Sequence, residues 1–182
     1  MPKILKPPDN RGGMYADLFR DRPAFAIEVA TIMLLWARTE QLLADFLVFM
    51  QGGDSRSTMA VYHSLGSLEI RLTALQSVAK RTLPEASYRE FLKLAKEIRA
   101  AAKKRNSIAH AVWAENGFFP DGIIKQPHAS EHFSKNRPSE LWEMQDFVAV
   151  RNRLLTLQGR IRAFVYSVYQ FGQEKRRQGS RQ

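Results

Sequence analysis

The longest apolar pattern in the chain is "FAIEVATIMLLWARTEQLLADFLVFM". On a helical wheel Glu28, Thr31, Arg38 and Asp45 share one narrow strip and apolar side chains cover most of the rest, which predicts a central helix with neighbours on several sides. Pro23, suited to a first turn, and Gly52 with Gly53 bound it. Residues 55–83 carry a weaker helical pattern, "STMAVYHSL" and "SLEIRLTALQSVAKRTL", with Leu68, Leu72, Leu75 and Val78/Ala79 at helical spacing and Gly66 as the point of division. Pro84 punctuates, and a further helix follows from about Glu85 to at least Ala109, its stripe being Tyr88, Phe91, Ala95, Ile98, Ala102, Ala109 and Val112.

Between residues 113 and 138 the periodicity stops. Asn116-Gly117, Pro120, Asp121-Gly122, Pro127 and Pro138 leave short apolar pieces, read as a small hairpin over the Asn-Gly turn or as a long loop. A last helix, from about Ser139 to Phe171, has Phe147, Val150, Leu154, Leu157, Ile161, Phe164/Val165, Val168 and Phe171 three or four apart. No repeat and no glycine-rich phosphate loop after a strand pattern is visible. The expected fold is all-α: an up-and-down bundle of roughly four to five helices with the loop or hairpin before the last one. Residues 1–22, with Pro2, Pro7, Pro8, Gly12 and Gly13, read as a flexible leader; 23–172 as one helical domain; 173–182 as a basic tail.

Charge changes the picture. Lys and Arg total 28 against 18 Asp plus Glu, a net charge of +10, which favours a polyanionic partner, RNA or DNA before an anionic membrane. Part of it lies in the tail, at Lys175, Arg176, Arg177 and Arg181, where a solvated end accounts for it. Another part, Lys93, Lys96, Arg99, Lys103, Lys104 and Arg105, runs into the end of the fourth helix. The absence of cysteine excludes disulfides, thiol nucleophiles and Cys-ligated zinc. "MPKILKPPDN" has no apolar core behind its lysines, and the apolar run from Ala24 to Ala37 is broken by Glu28, so neither a secretory signal nor a membrane span is expected; the reading is of a cytoplasmic protein.

The chemistry concentrates in "KKRNSIAHAVW", residues 103–113. Arg105 falls about 20° from Ile98 on the wheel, on the apolar stripe, where a guanidinium must snorkel, pair with a carboxylate or await an anion. Glu28, Arg38 and Asp45 are candidates to position it. His110 projects about 140° from Arg105, whereas Asn106 and His110 are one turn apart, so the amide can orient the imidazole. A cationic site built from Arg105 and His110 therefore calls for a second copy of the stretch.

"RNSIAH" resembles the R-x4-6-H motif of the HEPN superfamily of small all-helical domains. Ala111, Val112 and Trp113, and a long apolar first helix with Trp36, Ala37, Arg38 and Glu40, look like that family too. Many members are metal-independent endoribonucleases in which two motifs meet across a homodimer. Some are toxins restrained by a partner, and some have lost catalysis. The resemblance thus implies an HEPN-like, RNA-binding homodimer, formed through the helix carrying the motif, that leaves 2′,3′-cyclic phosphate ends without a cofactor or metal. Arg105, His110 and Asn106 are the catalytic candidates, and a cognate inhibitor protein is a candidate partner. Lys103, Lys104 and Arg99 would add salt-sensitive attraction to the RNA backbone. The alternative is a catalytically silent helical interaction module binding RNA or a protein. Val112 stands where some toxin members carry a tyrosine, so regulation through that tyrosine is not carried over.

Three other features have simpler readings. "HASEH", residues 128–132, matches a zinc-peptidase pattern, but Pro127 and the lack of a helical stripe argue against it. His63 reads as a surface or core-edge histidine. Phe118 and Phe119 could stack on bases, with folding back onto the bundle as the simpler account, and Trp113 and Trp142 read as anchors of the same loop.

Overall fold

The computed structural model describes residues 2–4, 13–14, 18–52, 54–115, 118–126 and 139–179. It is a mostly α-helical bundle with a small antiparallel sheet. The order is β1 (Lys3–Ile4), β2 (Gly13–Met14), α1 (Leu18–Asp21), α2 (Pro23–Gln51), α3 (Ser55–Ser64), α4 (Leu68–Thr82), α5 (Glu85–Ala109), β3 (Val112–Glu115), β4 (Gly122–Gln126), β5 (Glu140–Glu143) and α6 (Met144–Gly179). The chain forms two compact units, Met1–Trp36 with Ala102–Leu154, and Ala37–Ala101 with Leu155–Gln182.

The first unit contains the sheet, ordered β1-β5-β4-β3-β2. Cross-strand partners share a face, so Trp113 (opposite Lys125) and Trp142 (opposite Ile123) lie on one side. There Trp113 and Trp142 meet at 5.6 Å and both contact Phe147 of α6, at 5.3 and 5.0 Å, while Phe25 of α2 meets Phe147 at 5.6 Å. The other face buries Ala114, Ile124 and Leu141, with Phe119 packed on them. Gly122 is required by this packing: a Cβ there would lie 2.8 Å from Leu141 Cδ1 and 3.1 Å from the Trp142 carbonyl oxygen.

Several expectations are corrected here. Of the two readings of the stretch after α5, the hairpin fits: β3 and β4 pair antiparallel, with Asn116 and Gly117 outside the described residues. The last helix begins at Met144, not Ser139, because Glu140–Glu143 gives its backbone to β4 and the Asp146 side chain accepts a hydrogen bond from Glu143 N–H at 3.0 Å, capping the helix start. That helix runs on to Gly179, taking in Lys175, Arg176 and Arg177 of the expected tail. The expected leader supplies β1, β2 and α1, with Leu18 buried and Lys3 paired to Glu143. Helix α2 buries Phe25, Ile32 and Trp36 here and leaves Ile27 and Leu34 64% and 72% exposed.

In the second unit Phe46 of α2 packs on Phe91 of α5 and Phe164 of α6 at 5.5 and 5.4 Å, above Leu72, Leu75 and Ile98. The helix ends have local causes, of which the sequence reading named Gly52, Gly66 and Pro84 but not the two side-chain caps. Gly52 ends α2 at φ +64°, Asp54 caps α3 through Ser57 N–H at 2.9 Å, and Ser67 caps α4 through Ile70 N–H at 3.3 Å. Gly66 sits in the break between α3 and α4, as the pattern predicts.

Tyr62, at the centre of this unit, is fully buried, and its hydroxyl is without a hydrogen-bond partner among the described residues; Arg71 lies 5.2 Å over its ring and donates to Glu40 at 3.0 Å. Burial above all, and Glu40 secondarily, push the phenol up to about 12 from 10.0, with Arg71 pulling the other way. Tyr62→Phe removes an unsatisfied buried hydroxyl and keeps the ring, so a gain of about 1–2 kcal/mol in urea unfolding is expected. Because the folded pKa exceeds the unfolded one, the parent loses stability as pH climbs from 10 toward 12, and the variant should lack that loss.

Candidate functional site

Helix α5 delivers the motif at its last turns and is stopped firmly. His110 N–H donates to the Asn106 carbonyl at 3.0 Å and Ala111 N–H to Ile108 at 3.3 Å. The Trp113 indole N–H also reaches the Ile108 carbonyl, at 3.3 Å, so a side chain of β3 satisfies a terminal acceptor of the helix. Ile108 beneath is buried.

Arg105 is half-buried, with its guanidinium carbon 5.0 Å from the centre of the Trp36 ring. A planar guanidinium over an indole face combines dispersion with cation–π attraction. The wheel put Arg105 on the apolar side, and that is where it lies. Of its three proposed positioners, Glu28 accepts from Arg151, Asp45 accepts from Gln41 Nε2 at 2.8 Å, and Arg38 is exposed. The platform for Arg105 is an aromatic ring. Asn106 and His110 are exposed one turn apart, and Ala109, assigned to the apolar stripe by periodicity, is exposed too.

The flanking cations differ from one another. Lys103 is exposed. Lys104 is half-buried with Nζ 4.3 Å from the Trp142 ring centre. Burial lowers its pKa, with a smaller push the same way from Lys125, against Glu140 and Asp146, which raise it. Glu140 in turn accepts the Trp142 indole N–H at 2.9 Å and lies 3.6 Å from Lys125. Arg99 is engaged bidentately by Glu69, at 2.8 to 3.0 Å, which raises the arginine and lowers the carboxylate. A phosphate contact from Arg99 must compete with that pair, Lys103 meets solvent, and Lys104 must leave its indole.

Trp36 and Trp142, as ring platforms for neighbouring cations of the motif, and Lys125 beside Lys104, were not assigned these roles by sequence. Each contact joins residues distant along the chain and leaves no periodic trace.

Phe119 folds back onto the sheet, while Phe118 is 89% exposed. His63 is exposed at the end of α3 with its ring against Tyr62. "HASEH" lies outside the described residues, and among those described no three His, Asp or Glu side chains gather as a metal site. No described helix is long and apolar enough to cross a membrane. No protein-family model, curated protein or solved structure matches the chain.

Proposed function

We propose that this is an HEPN-like, RNA-binding protein that cuts RNA without metal, at a site completed by two copies of the chain. The observation that carries the reading is the disposition of "RNSIAH" at the end of α5: Arg105 seated on Trp36, with Asn106 and His110 exposed one turn apart.

RNA brings its own nucleophile. The 2′-hydroxyl gives its proton to an imidazole, its oxygen attacks the adjacent phosphorus, the bond to the 5′-oxygen breaks, and that oxygen takes a proton from the second imidazole. The products are a 2′,3′-cyclic phosphate and a 5′-hydroxyl. The His110 imidazole of one copy would take the first proton and that of the other copy give the second, and Arg105 would offer paired donors to the phosphate oxygens as charge accumulates on them. Asn106, one turn before His110, would orient the imidazole, and Lys103 and Lys104 would supply attraction to flanking phosphates. A cognate inhibitor protein and a cytoplasmic setting belong to the same reading.

The test uses wild type and His110→Ala, purified separately and incubated with mixed single-stranded RNA in excess EDTA. Cleavage by wild type alone, with cyclic phosphate ends, is the expected result. No cleavage by either, with RNA binding retained, would replace the enzyme by a silent binding module.

A further inference from the structure

In the second unit an open groove of about 340 Å³ runs between α2 and α6, a volume at the lower end of those that hold small ligands. Leu42 and Phe49 of α2 and Val165 of α6 give it apolar walls. Tyr169 meets Phe49 across it, with ring centres 5.7 Å apart and planes tilted by 49°. Tyr166 belongs to the same lining and is 63% exposed, so most of its side chain meets solvent.

Two charged side chains share the groove. Arg162 lies one turn before Tyr166, and with Tyr169 the three fall within about 60° of one another on α6. Asp45 comes from α2; Gln41 donates to its Oδ1 at 2.8 Å, and a carboxylate has further lone pairs to offer. Rings and an arginine on one exposed helix face suit a single strand of RNA, in which bases stack and phosphates take the cation. An apolar protein helix laid here would cover Arg162 and Asp45 without answering either charge. A nucleotide brings an opposite group to each: a phosphate to the guanidinium and an exocyclic amine to the carboxylate. The net charge of +10 favours the same ligand.

We propose that this groove binds one nucleotide of a single-stranded RNA, its base stacked on Tyr166, its exocyclic amine toward Asp45 and its phosphate on Arg162. Phe49 and Tyr169 are the apolar backing. Cytosine fits best, because a carboxylate reads its N4 amine, and uracil presents an oxygen at that position. The inference rests on the RNA-binding part of the proposed function and not on cleavage, and it uses none of the residues at the end of α5. A chain that holds RNA here and cuts none still satisfies it.

Fluorescence anisotropy with labelled oligocytidylate and oligouridylate of about ten nucleotides reads the result. The full-length His110→Ala chain in EDTA serves as parent, so that the RNA stays whole. Oligocytidylate should bind at least about threefold tighter than oligouridylate, and Asp45→Asn should remove that preference. Tyr166→Ala changes a side chain that mostly faces solvent, so the fold is spared; it should weaken oligocytidylate at least about fivefold, while Tyr166→Phe keeps the ring and stays within about twofold. Arg162→Ala should flatten the slope of log affinity against log salt by about 0.7. Affinity indifferent to Tyr166→Ala would overturn the proposal and give the groove to an apolar partner protein. An equal fall in Tyr166→Phe, or a cytosine preference that survives Asp45→Asn, would overturn it as well. Each of these leaves RNA binding and cleavage at the end of α5 intact, whereas a parent that binds neither RNA would sink both readings.

Discussion

Under the proposed RNA-cleaving function, Arg105→Lys should lower single-turnover RNA cleavage by about 10²–10³-fold while leaving RNA affinity within roughly threefold of wild type. The charge survives, so the sequence-independent attraction to phosphates survives with it. What is lost is geometry. Lysine has no planar fork to grip two phosphate oxygens and no flat face to lie on Trp36, 5.0 Å beneath the guanidinium. A stabilising group that matters mainly as charge builds on phosphorus shows up in rate and not in binding. Equal cleavage by the lysine variant would mean that Arg105 serves only as a general positive charge. A loss in affinity that tracks the loss in rate would assign it to substrate binding.

Trp142→Ala should cost about 3–5 kcal/mol, a large part of the stability of a domain of this size. Trp142 is fully buried, meets Trp113 edge-on at 5.6 Å and Phe147 at a tilt at 5.0 Å, and floors the Lys104 ammonium at 4.3 Å. Truncation opens a cavity among rigid rings and leaves Glu140 and Lys104 without the indole that each contacts. Urea unfolding followed by tryptophan fluorescence reports the first unit, since the remaining Trp36 and Trp113 lie there, while far-ultraviolet circular dichroism reports the helices of both. A shift of less than about 1 kcal/mol in the fluorescence transition would show that the aromatic cluster does not hold the sheet to its helices.

The helices were legible because burial repeats every three to four residues and because each break carries a residue with a local reason to break. Gly52, Asp54, Gly66, Ser67 and Pro84 sit at helix ends, and four helices start or stop within a residue or so of them. Strands were less legible. Four or five residues of "VWAE", "GIIKQ" or "ELWE" give too few periods to separate alternation from noise, and β5 was absorbed into the following helix, whose apolar spacing it continues at Leu141. Which apolar residues of α2 meet a neighbour was not readable from pattern alone: Ile27 and Leu34 are as apolar as Ile32 and Trp36, and only the fold separates them. Of the candidate site, the place of Arg105 on the apolar side was readable from a wheel. Its aromatic seat was not, since Trp36 comes from another helix.

The pairing of β1 with β5 sets Lys3 against Leu141 and Ile4 against Glu140. In a chain made from its amino end, the opening residues must therefore wait, unmatched, through most of synthesis before their ladder partners leave the ribosome. The first unit closes late, after three long helices have begun to pack, and a stall in translation before β5 would hold the nascent sheet open for as long as the pause lasts.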